Sequence, residues 1–567
     1  MPGKSSNLVL IWQELKRRRV IHVIVVYTTA AFVLIELVNN VYETLRLPPW
    51  TPFVLLLILA IGLPVVIVFS WFYGVTFFGE KSVHQNGTSS EPLLSEVVSH
   101  RQEKSIIVLP FENISPDSDQ EYFSDGLSEE IITDLSHIHD LLVISRNSAR
   151  TFKGSSKTTK EIAEKVNVRY VLEGSVRKSA NNLRITAQLI DANNDSHIWA
   201  EKYSGTLDDV FDIQEKVSHS IVSSLRLKLS PKERHEIDKR PFDNVYAYDC
   251  YLKANQEIYQ FSKDSLDRAV HLIQNGLDIV GQNELLYEAM GNAHIQYVNF
   301  GVSSDEMYLQ KAEEWIEKLF TLNPNSSQGY FLDGLIRWKR GDWEEGVRRL
   351  QKSLALDPNN PRPREYLVYI TSIAGKIHVS SMLLPKLLEI DPLTPLFQCF
   401  PGWIEYMEGN FKGALKYMQK MYHMDPENPL YGILYANFLT RIHKFEEAYS
   451  IIDKFAKKAS ETNLVNLGLF RKYALIGEEK EALKMATQEF QDAMRWDEQF
   501  SWEMAANFSL IGHKQKALDW LENAITRGFI NYPFLKDYDP LLQNIRGEKR
   551  FIKLMERVKY EWENFKV

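Results

Sequence analysis

Three acidic residues lie close together in the stretch DGLSEE, at Asp125, Glu129 and Glu130. Two neighbouring carboxyl groups can perform acid–base catalysis when an enclosed pocket separates their pKa values. The same stretch begins a helical pattern, and the helix dipole favours acidic side chains in the first turn. We therefore interpret the three residues as the start of a helix rather than as a catalytic pair.

Other polar stretches lack the spacing that ligand sites need. KGSSKTT, residues 153–159, contains a Lys-Thr but has no second glycine before that lysine, so it is not a phosphate loop. His137 and His139 have no further His or Cys at ligand spacing, which favours a surface turn over a metal site. The two cysteines, Cys250 and Cys399, are too few for a disulfide framework or a zinc site. The sequence thus predicts no catalytic residue, no metal site and no cofactor.

The charge balance disfavours one class of partner. The 567 residues carry a net charge of −8, and the one short basic cluster is residues 16–19, KRRR. Proteins that bind nucleic acid neutralise phosphates with clustered Lys and Arg. We therefore expect no nucleic-acid partner and, without a ligand motif, no small-molecule substrate.

The acidic stretch belongs to a segment that alternates between strand and helix patterns. SIIVLPF (105–111) and LLVIS (141–145) are short apolar runs, typical of strands buried on both faces. The stretch 169–192 alternates about a polar turn, which is typical of a β-hairpin, and a helical pattern ends the segment. The order βαβαβββα predicts a mixed-sheet α/β domain over residues 105–230.

The second half of the chain repeats itself every 34 residues. Prolines recur in this register at Pro324, Pro358, Pro392 and Pro426, and turn signals begin at 341, 375, 409, 443, 477 and 512. Two helices per unit, a tight turn between them and a proline after the second helix are typical of the tetratricopeptide repeat. We predict about eight units over 246–531, an all-α solenoid, followed by a C-terminal capping helix in 532–567.

A solenoid of this kind has a concave groove lined by the first helix of each unit. Counting helical positions predicts that nine residues face this groove: Phe331, Leu335, Trp338, Tyr369, Trp403, Tyr406, Asn437, Arg441 and Arg471. Trp, Tyr and Arg are the residue types that most often anchor partner peptides, although aromatic residues at helical spacing also form cores.

One known form of groove recognition is not matched. Some tetratricopeptide families bind the C-terminal carboxylate of a partner with Lys and Asn. Here the recurring groove position holds Phe331, Glu365, Cys399 and Ile433. We therefore expect a protein partner that is not recognised by its terminal carboxylate.

The N-terminal region contains two long apolar runs. The second, residues 53–73, has no charge and is long enough to cross a bilayer, and the first, about 20–40, follows the KRRR cluster. We predict an N-terminal anchor, 1–78, with two transmembrane helices, followed by a linker, 79–104. Because basic residues stay on the cytoplasmic side, the rest of the chain is expected in the cytoplasm, or in the periplasm if the first run does not cross.

A family resemblance supports this organisation. The stretch SIIVLPFENISPDSDQEYFSDGLSEEIITDLS, with RYVLEGSVRKSANNLRITAQLIDANNDSHIWAEKYS, resembles the TolB amino-terminal/FlgO-like domain, which often precedes tetratricopeptide repeats in bacterial chains. The ELKRRRV and LPPW stretches resemble the membrane anchor found before that domain. The resemblance covers essentially the whole chain. It implies a protein of the bacterial inner membrane whose middle domain contacts other proteins, and it implies no reaction.

Together these observations predict a non-enzymatic, membrane-anchored scaffold or signalling adaptor that binds a partner protein through the repeat groove. Two alternatives remain open. One is a periplasm-facing component of envelope assembly. The other is a nucleotide-sensing regulator with a pocket in the α/β domain, which would need a phosphate loop or a metal cluster.

Overall fold

The computed structural model describes residues 102–567, apart from 117–119, 261, 300–302, 304 and 459–461, and also Leu59. These residues form an α/β domain followed by an all-helical repeat region, as predicted.

The predicted fold class is corrected in one part. Among the described residues, no helix has both the length and the apolar character needed to cross a bilayer. The transmembrane hairpin is therefore not part of the fold class that we report. Apart from Leu59, its two segments, about 20–40 and 53–73, lie outside the described residues, as do the rest of the predicted anchor and the linker up to residue 101.

The α/β domain is built on one mixed sheet. Its strands are β1 (Gln102–Val108), β2 (Glu112–Asn113), β3 (Leu142–Val143), β4 (Val168–Ser179), β5 (Asn182–Asp191) and β6 (Ser196–Thr206). The order across the sheet is β3-β1-β4-β5-β6, with the short β2 beside β4. Strand β1 pairs in parallel with β3 and β4, whereas β4, β5 and β6 are antiparallel. The parallel pairs need crossover helices, which supply the layers on the two faces.

Helices cover both faces of the sheet. They are α1 (Glu121–Ser136), α2 (Arg146–Arg150), α3 (Thr159–Val166) and α4 (Val210–Ser224). Ile106 and Val108 of β1 belong to the core that includes α1 and α4, whereas Ile107 belongs to the core formed with α2 and α3. Because successive strand residues point to opposite faces, this division explains the continuous apolar run in the sequence.

A short helix, α5 (Pro231–Asp238), leads into eight helical pairs. Their first helices are α6 (Val245–Ile258), α8 (Glu284–Asn299), α10 (Ser327–Lys339), α12 (Pro361–Ile373), α14 (Pro395–Met407), α16 (Pro429–Arg441), α18 (Asn463–Leu475) and α21 (Glu498–Leu510). Their second helices are α7 (Lys263–Val280), α9 (Glu306–Leu322), α11 (Trp343–Leu356), α13 (Ile377–Ile390), α15 (Phe411–Met424), α17 (Phe445–Lys458), the broken pair α19 (Glu479–Met485) and α20 (Gln488–Met494), and α22 (Lys514–Thr526).

In the later units the helices repeat with the same 34-residue period as the sequence. The first helices of five consecutive units begin at residues 327, 361, 395, 429 and 463. The turns inside the units have positive φ at Gly341, Gly375, Gly409, Gly477 and Gly512, a conformation that glycine adopts without strain. In the remaining unit of this run, His443 occupies the glycine position with φ of 59°.

Small residues allow the two helices of a unit to cross closely. A Cβ atom on Gly346 would lie 3.0 Å from the carbonyl oxygen of Gly334 on the facing helix. Ala414, Ala448 and Ala482 occupy the corresponding place in later units and are fully buried. The small residues that recur in the sequence therefore mark the places where the two helices of a unit cross.

The chain ends in a segment that turns back onto earlier units. After α22 come a π-helical turn (Phe534–Tyr538), a 3-10 turn (Pro540–Ile545) and helix α23 (Lys549–Asn564). The Asn531 amide donates to the Ile373 carbonyl at 3.0 Å, and Lys376 Nζ donates to the Trp562 carbonyl at 2.6 Å. The C-terminal segment thus contacts units that precede it by more than 150 residues, in addition to the last unit that it was predicted to cap.

Candidate partner-binding site

The nine residues predicted to line the groove all lie on first helices. Phe331, Leu335 and Trp338 are on α10, Tyr369 on α12, Trp403 and Tyr406 on α14, Asn437 and Arg441 on α16, and Arg471 on α18. Eight of them are buried, and Tyr369 is half-buried. Their role in binding a partner stays a prediction. Parts of the same chain cover these side chains.

The aromatic members form a continuous row across three units. The ring centroids of Trp338 and Tyr369 are 6.0 Å apart, and those of Tyr369 and Trp403 are also 6.0 Å apart, with the second pair stacked. Trp403 and Tyr406 follow at 5.5 Å. Aromatic pairs at these separations contribute beyond the area they bury. The structure therefore brings together the aromatic residues that the helical count selected.

The C-terminal part of the chain packs against the end of this row. Tyr406 contacts Trp502 of α21 at 6.1 Å and Phe534 at 5.4 Å between ring centroids. Trp502 is fully buried and also contacts Phe534 at 5.5 Å. Tyr406 of α14 is thus held by two aromatic side chains that lie 96 and 128 residues further along the chain.

A buried ionic network joins the same two parts of the chain. Arg471 Nη2 donates to Glu503 Oε2 at 2.6 Å, and Arg441 Nη1 donates to Glu503 Oε1 at 3.1 Å. Arg441 Nε donates to Asp539 Oδ1 at 3.3 Å, and Trp502 Nε1 donates to Asp539 Oδ2 at 2.7 Å. We call these four charged residues, Arg441, Arg471, Glu503 and Asp539, the buried quartet. It has two positive and two negative charges, so its formal charge is zero.

The two arginines of the quartet differ in their environment. Burial alone would lower the pKa of Arg441, but Asp539 and Glu503 outweigh it and hold that pKa above its usual value. Burial lowers the pKa of Arg471, and Glu503 opposes the shift only in part. Arg441 also lies over the Trp502 ring, 4.1 Å from its centroid. Buried charges are stable only when they are paired in this way.

The residues that complete the network were missed by the sequence interpretation. Trp502, Glu503 and Asp539 lie in or after the last unit, where we predicted only a further repeat and a cap. A signal was available, since an Arg at an inward helical position needs a carboxylate if it is buried. The sequence does not say which carboxylate meets it.

The α/β domain is also attached to the repeats, at turns that contain the repeated Asp-Pro motif. Ser148 Oγ donates to Asp391 Oδ1 at 2.6 Å, and the Ser145 amide donates to the Ile390 carbonyl at 2.8 Å. Asn359 Nδ2 donates to the Ser136 carbonyl at 2.9 Å, at the end of α1. The turns that separate the repeats therefore also dock the preceding domain.

The acidic stretch DGLSEE is helical, as predicted, but it lies inside α1 rather than at its start, because the helix begins at Glu121. Asp125 pairs with Lys153 at 2.6 Å, and Glu129 pairs with Arg146 at 3.0 Å. Glu130 is buried, and no ion pair to it occurs within the described part of the chain; burial raises its pKa well above the usual value, and the nearby Asp134 adds to the shift. The first two acids are thus explained by ion pairs within the domain, and the third faces the repeats near Glu288.

Asp134, one turn further along α1, is held between two helices. Its Oδ2 accepts hydrogen bonds from Gln214 Nε2 and Ser218 Oγ of α4, both at 3.2 Å. Burial raises its pKa from 3.8 to about 7, although the two hydrogen bonds oppose the shift. The folded protein therefore binds a proton at Asp134 that the unfolded chain has released.

This proton makes a pH-dependent contribution to stability. The contribution is fully present below about pH 4 and is lost as the pH rises through about 7. Asp134→Asn should remove this loss, so at pH 8 the variant should be more stable than the wild type by about 2 kcal/mol, a value below the full shift because the side chain is partly exposed. Unfolding in urea at pH 5 and pH 8 measures the difference. The exposed Asp243→Asn is the control, and an equal pH dependence in the wild type and in Asp134→Asn would contradict the assignment.

One cluster in the described residues has the composition of a metal site. Ligand atoms of Glu215, His219 and Asp238 all lie within 4.8 Å of one another. His219 Nε2 already pairs with Asp238 Oδ1 at 2.7 Å, and all three side chains are well exposed. We interpret the cluster as a surface ion pair between α4 and α5. His137 and His139, the histidines considered in the sequence, do not belong to it.

Sequence comparisons find similarity in the α/β domain and beyond it. Residues 102–223 match the family described as the HilA/YgeH-like transcriptional regulator, second domain. The predicted TolB amino-terminal/FlgO-like resemblance is not confirmed. A protein of Rhizobium meliloti (strain 1021), named putative adenylate cyclase 3, is 43% identical over 175 residues, which is 31% of this chain. The chain matches only 30% of the length of that relative.

Several solved structures resemble parts of the chain. PilF of Pseudomonas aeruginosa is 15% identical, covers 36% of this chain with 97% of its own, and has a TM-score of 0.28. A tetratricopeptide repeat protein from Parabacteroides merdae ATCC 43184 is 13% identical, covers 49% of this chain with 99% of its own, and has a TM-score of 0.33. Scores this low carry no argument about function. The repeat architecture follows from the eight helical pairs and from the 34-residue register of the units from residue 327 onward. The family match places a recognisable domain at 102–223 without assigning the whole chain to a family.

Proposed function

We propose that this protein is a non-enzymatic scaffold that binds a partner protein through its repeat array, with the α/β domain as a second contact surface. One observation carries the proposal. The array already holds a polypeptide, its own C-terminal segment, by aromatic packing on Phe534 and by the bonds that Arg441 and Trp502 make to Asp539. The concave face is therefore chemically suited to bind a protein segment.

Two further features support this function. Eight stacked helical pairs give a rigid support with a large surface, as in other repeat proteins that bind partners. The α/β domain is fixed to the array at Asp391 and Asn359, so both surfaces are presented together. The cyclase activity in the name of the Rhizobium meliloti relative is not proposed here, because the match covers 30% of that protein.

Site-specific photocrosslinking tests the proposal. A benzophenone amino acid is placed in the full chain at Tyr366 on the concave side or at Ile198 on the sheet, and at Met382, which is 65% exposed on a second helix, as the control. Illumination in cells of the native host should give a protein adduct of defined mass at Tyr366 or Ile198 and none at Met382. Absence of an adduct at both test positions would contradict a scaffold role.

A further inference from the structure

The antiparallel part of the sheet, strands β4 to β6, has one face that the helices of the described residues leave mostly open. Because successive strand residues point to opposite faces, Leu172, Ile185 and Leu189 lie on the side of α1 and α4. On the other side α3 reaches the sheet at Glu173, which accepts a hydrogen bond from Thr159 at 3.0 Å. Six residues beyond this point are exposed or half-buried. We call them the outer face: Ser175, Arg177, Arg184, Thr186, Lys202 and Ser204.

Three cations lie close together on the outer face. Arg177 of β4 and Arg184 of β5 are direct partners in the antiparallel ladder. Lys202 of β6 is the partner of Thr186, which places it diagonally from Arg184. Directly opposite side chains have Cβ atoms about 5 Å apart, and diagonal ones about 7–8 Å apart. Like charges directly opposite each other destabilise a sheet, so Arg177 and Arg184 repel each other in the folded chain.

Nearby carboxylates do not neutralise these cations. Within the part of the chain that the structure describes, none of the three forms an ion pair or a side-chain hydrogen bond. Glu112 of β2 lies opposite Ser175, and Glu173 accepts hydrogen bonds from Thr159 and Gln188 instead. The outer face and Glu112 together carry three positive charges and one negative charge. Arg and Lys side chains at exposed positions are ionised at neutral pH, so this surplus of positive charge is permanent there.

Two exposed apolar side chains lie beside the outer face. Ile114 follows β2 and is 49% exposed, and its amide donates to the Val176 carbonyl at 2.9 Å, next to Arg177. Ile198, near the start of β6, is 39% exposed. Arg is enriched at protein interfaces, and the two isoleucines add apolar area that a partner can cover.

The residue types on this face favour a protein partner over a nucleic acid. The outer face contains no Trp, Tyr or Phe on which a base could stack, and single-stranded nucleic acids are commonly held by such stacking. Three cations are few for a duplex, and the whole chain has a net charge of −8. The anion that fits this face is therefore a carboxylate of a polypeptide.

We propose that the outer face binds an acidic segment of a partner protein, whose Asp or Glu side chains pair with Arg177, Arg184 and Lys202. The inference rests on the proposed scaffold function and names the chemistry of its second contact surface. A carboxylate between the two guanidinium groups replaces their repulsion by two charge-assisted hydrogen bonds. A basic segment would add to the repulsion, so charge complementarity selects an acidic one.

A random twelve-residue peptide library displayed on phage, selected against the full chain, tests the inference. We expect enriched peptides to carry at least two Asp or Glu. In fluorescence anisotropy, a selected peptide should lose about tenfold in affinity with Arg184→Glu, and its affinity should fall as NaCl is raised from about 50 to about 200 mM, because exposed charges are screened.

Two controls separate the contact from general effects of charge and folding. Arg234 is exposed on α5, which packs on the side of α1 and α4, and Arg234→Glu should leave the affinity unchanged. Arg184→Glu places a carboxylate opposite Arg177, so its midpoint of thermal unfolding should be no lower than that of the wild type. A loss of peptide binding then reports the outer face and not unfolding.

Three outcomes would overturn the inference: no enriched peptide, a consensus without acidic residues, or binding that Arg184→Glu weakens no more than Arg234→Glu does. If peptide selection fails while the photocrosslinked adduct at Tyr366 persists, the scaffold function stands and this contact is wrong. If no peptide is enriched and neither Tyr366 nor Ile198 gives an adduct, both are wrong.

Discussion

Arg471→Ala is expected to lower the free energy of unfolding by about 3–5 kcal/mol, the usual cost of removing one partner from a buried ion pair. Arg471 is fully buried and donates to Glu503 at 2.6 Å and to Thr440 Oγ1 at 3.2 Å, and its Nε also donates to Asn507. Its removal leaves the quartet with a net negative charge in a place that water does not reach. Urea unfolding followed by circular dichroism measures the loss.

Two variants separate the effect of charge from that of lost volume. Arg557→Ala breaks an exposed pair with Glu561, and we expect it to cost about 0.5 kcal/mol. The double variant Arg471→Met, Glu503→Leu removes one charge of each sign and leaves Arg441 paired with Asp539. It should recover much of the stability lost in Arg471→Ala, because apolar replacement of a whole buried pair is often tolerated. A cost for Arg471→Ala no larger than for Arg557→Ala would contradict the role given to the quartet.

The repeat architecture could be predicted because its signals are local. A glycine with positive φ at Gly375, a small residue at Ala414 and a proline at Pro392 each act on the few residues around them. The turn with positive φ recurs in the last six units, so there the period in the sequence is the period of the fold. Local chemistry repeated six times sets a register that the helices of these units follow.

The contacts that bury the groove residues could not be predicted in the same way. Helical counting selected Tyr406 and Arg441 as inward-facing, and both do face inward. The contacts that bury them, to Phe534 and Asp539, join residues 128 and 98 positions apart. Such contacts depend on how far the solenoid curves before the chain ends, which no local period specifies. The inward orientation of these side chains was therefore predictable, and the segments that bury them were not.

The same distinction applies to the acidic stretch of the α/β domain. The sequence indicated the start of a helix, whereas these residues lie inside α1, which begins at Glu121. It could not indicate that Asp125 would pair with Lys153 and Glu129 with Arg146, while Glu130 would face Glu288 of the repeats. The pKa of a carboxyl group depends on its surroundings, and for Glu130 those surroundings include Glu288 of the repeat region.

Ala414→Arg is expected to have the largest effect of the substitutions considered, a loss of about 5 kcal/mol or more, since it adds both volume and an unpaired charge to a closed helix crossing. Ala414 is fully buried, and its carbonyl oxygen lies 2.9 Å from the place that a Cβ atom on Gly402 would take. Urea unfolding is the measurement. Met382→Arg adds the same side chain at an exposed helical position and should change stability by less than about 0.5 kcal/mol.

The shape of the unfolding curve tests whether contacts of the C-terminal segment with earlier units, which we call the closure of the array, make the repeats unfold together. In an open solenoid each unit contacts only its neighbours, so damage at one crossing can melt nearby units and leave the others folded. Here Trp562 contacts Lys376 and Asn531 contacts Ile373, so the end of the chain stabilises a unit that lies before Ala414. Disruption at Ala414 should therefore release the C-terminal segment and destabilise units on both sides, in one cooperative transition. Unchanged unfolding of Ala414→Arg would contradict the repeat register, and a separate transition confined to the units after residue 414 would contradict the closure.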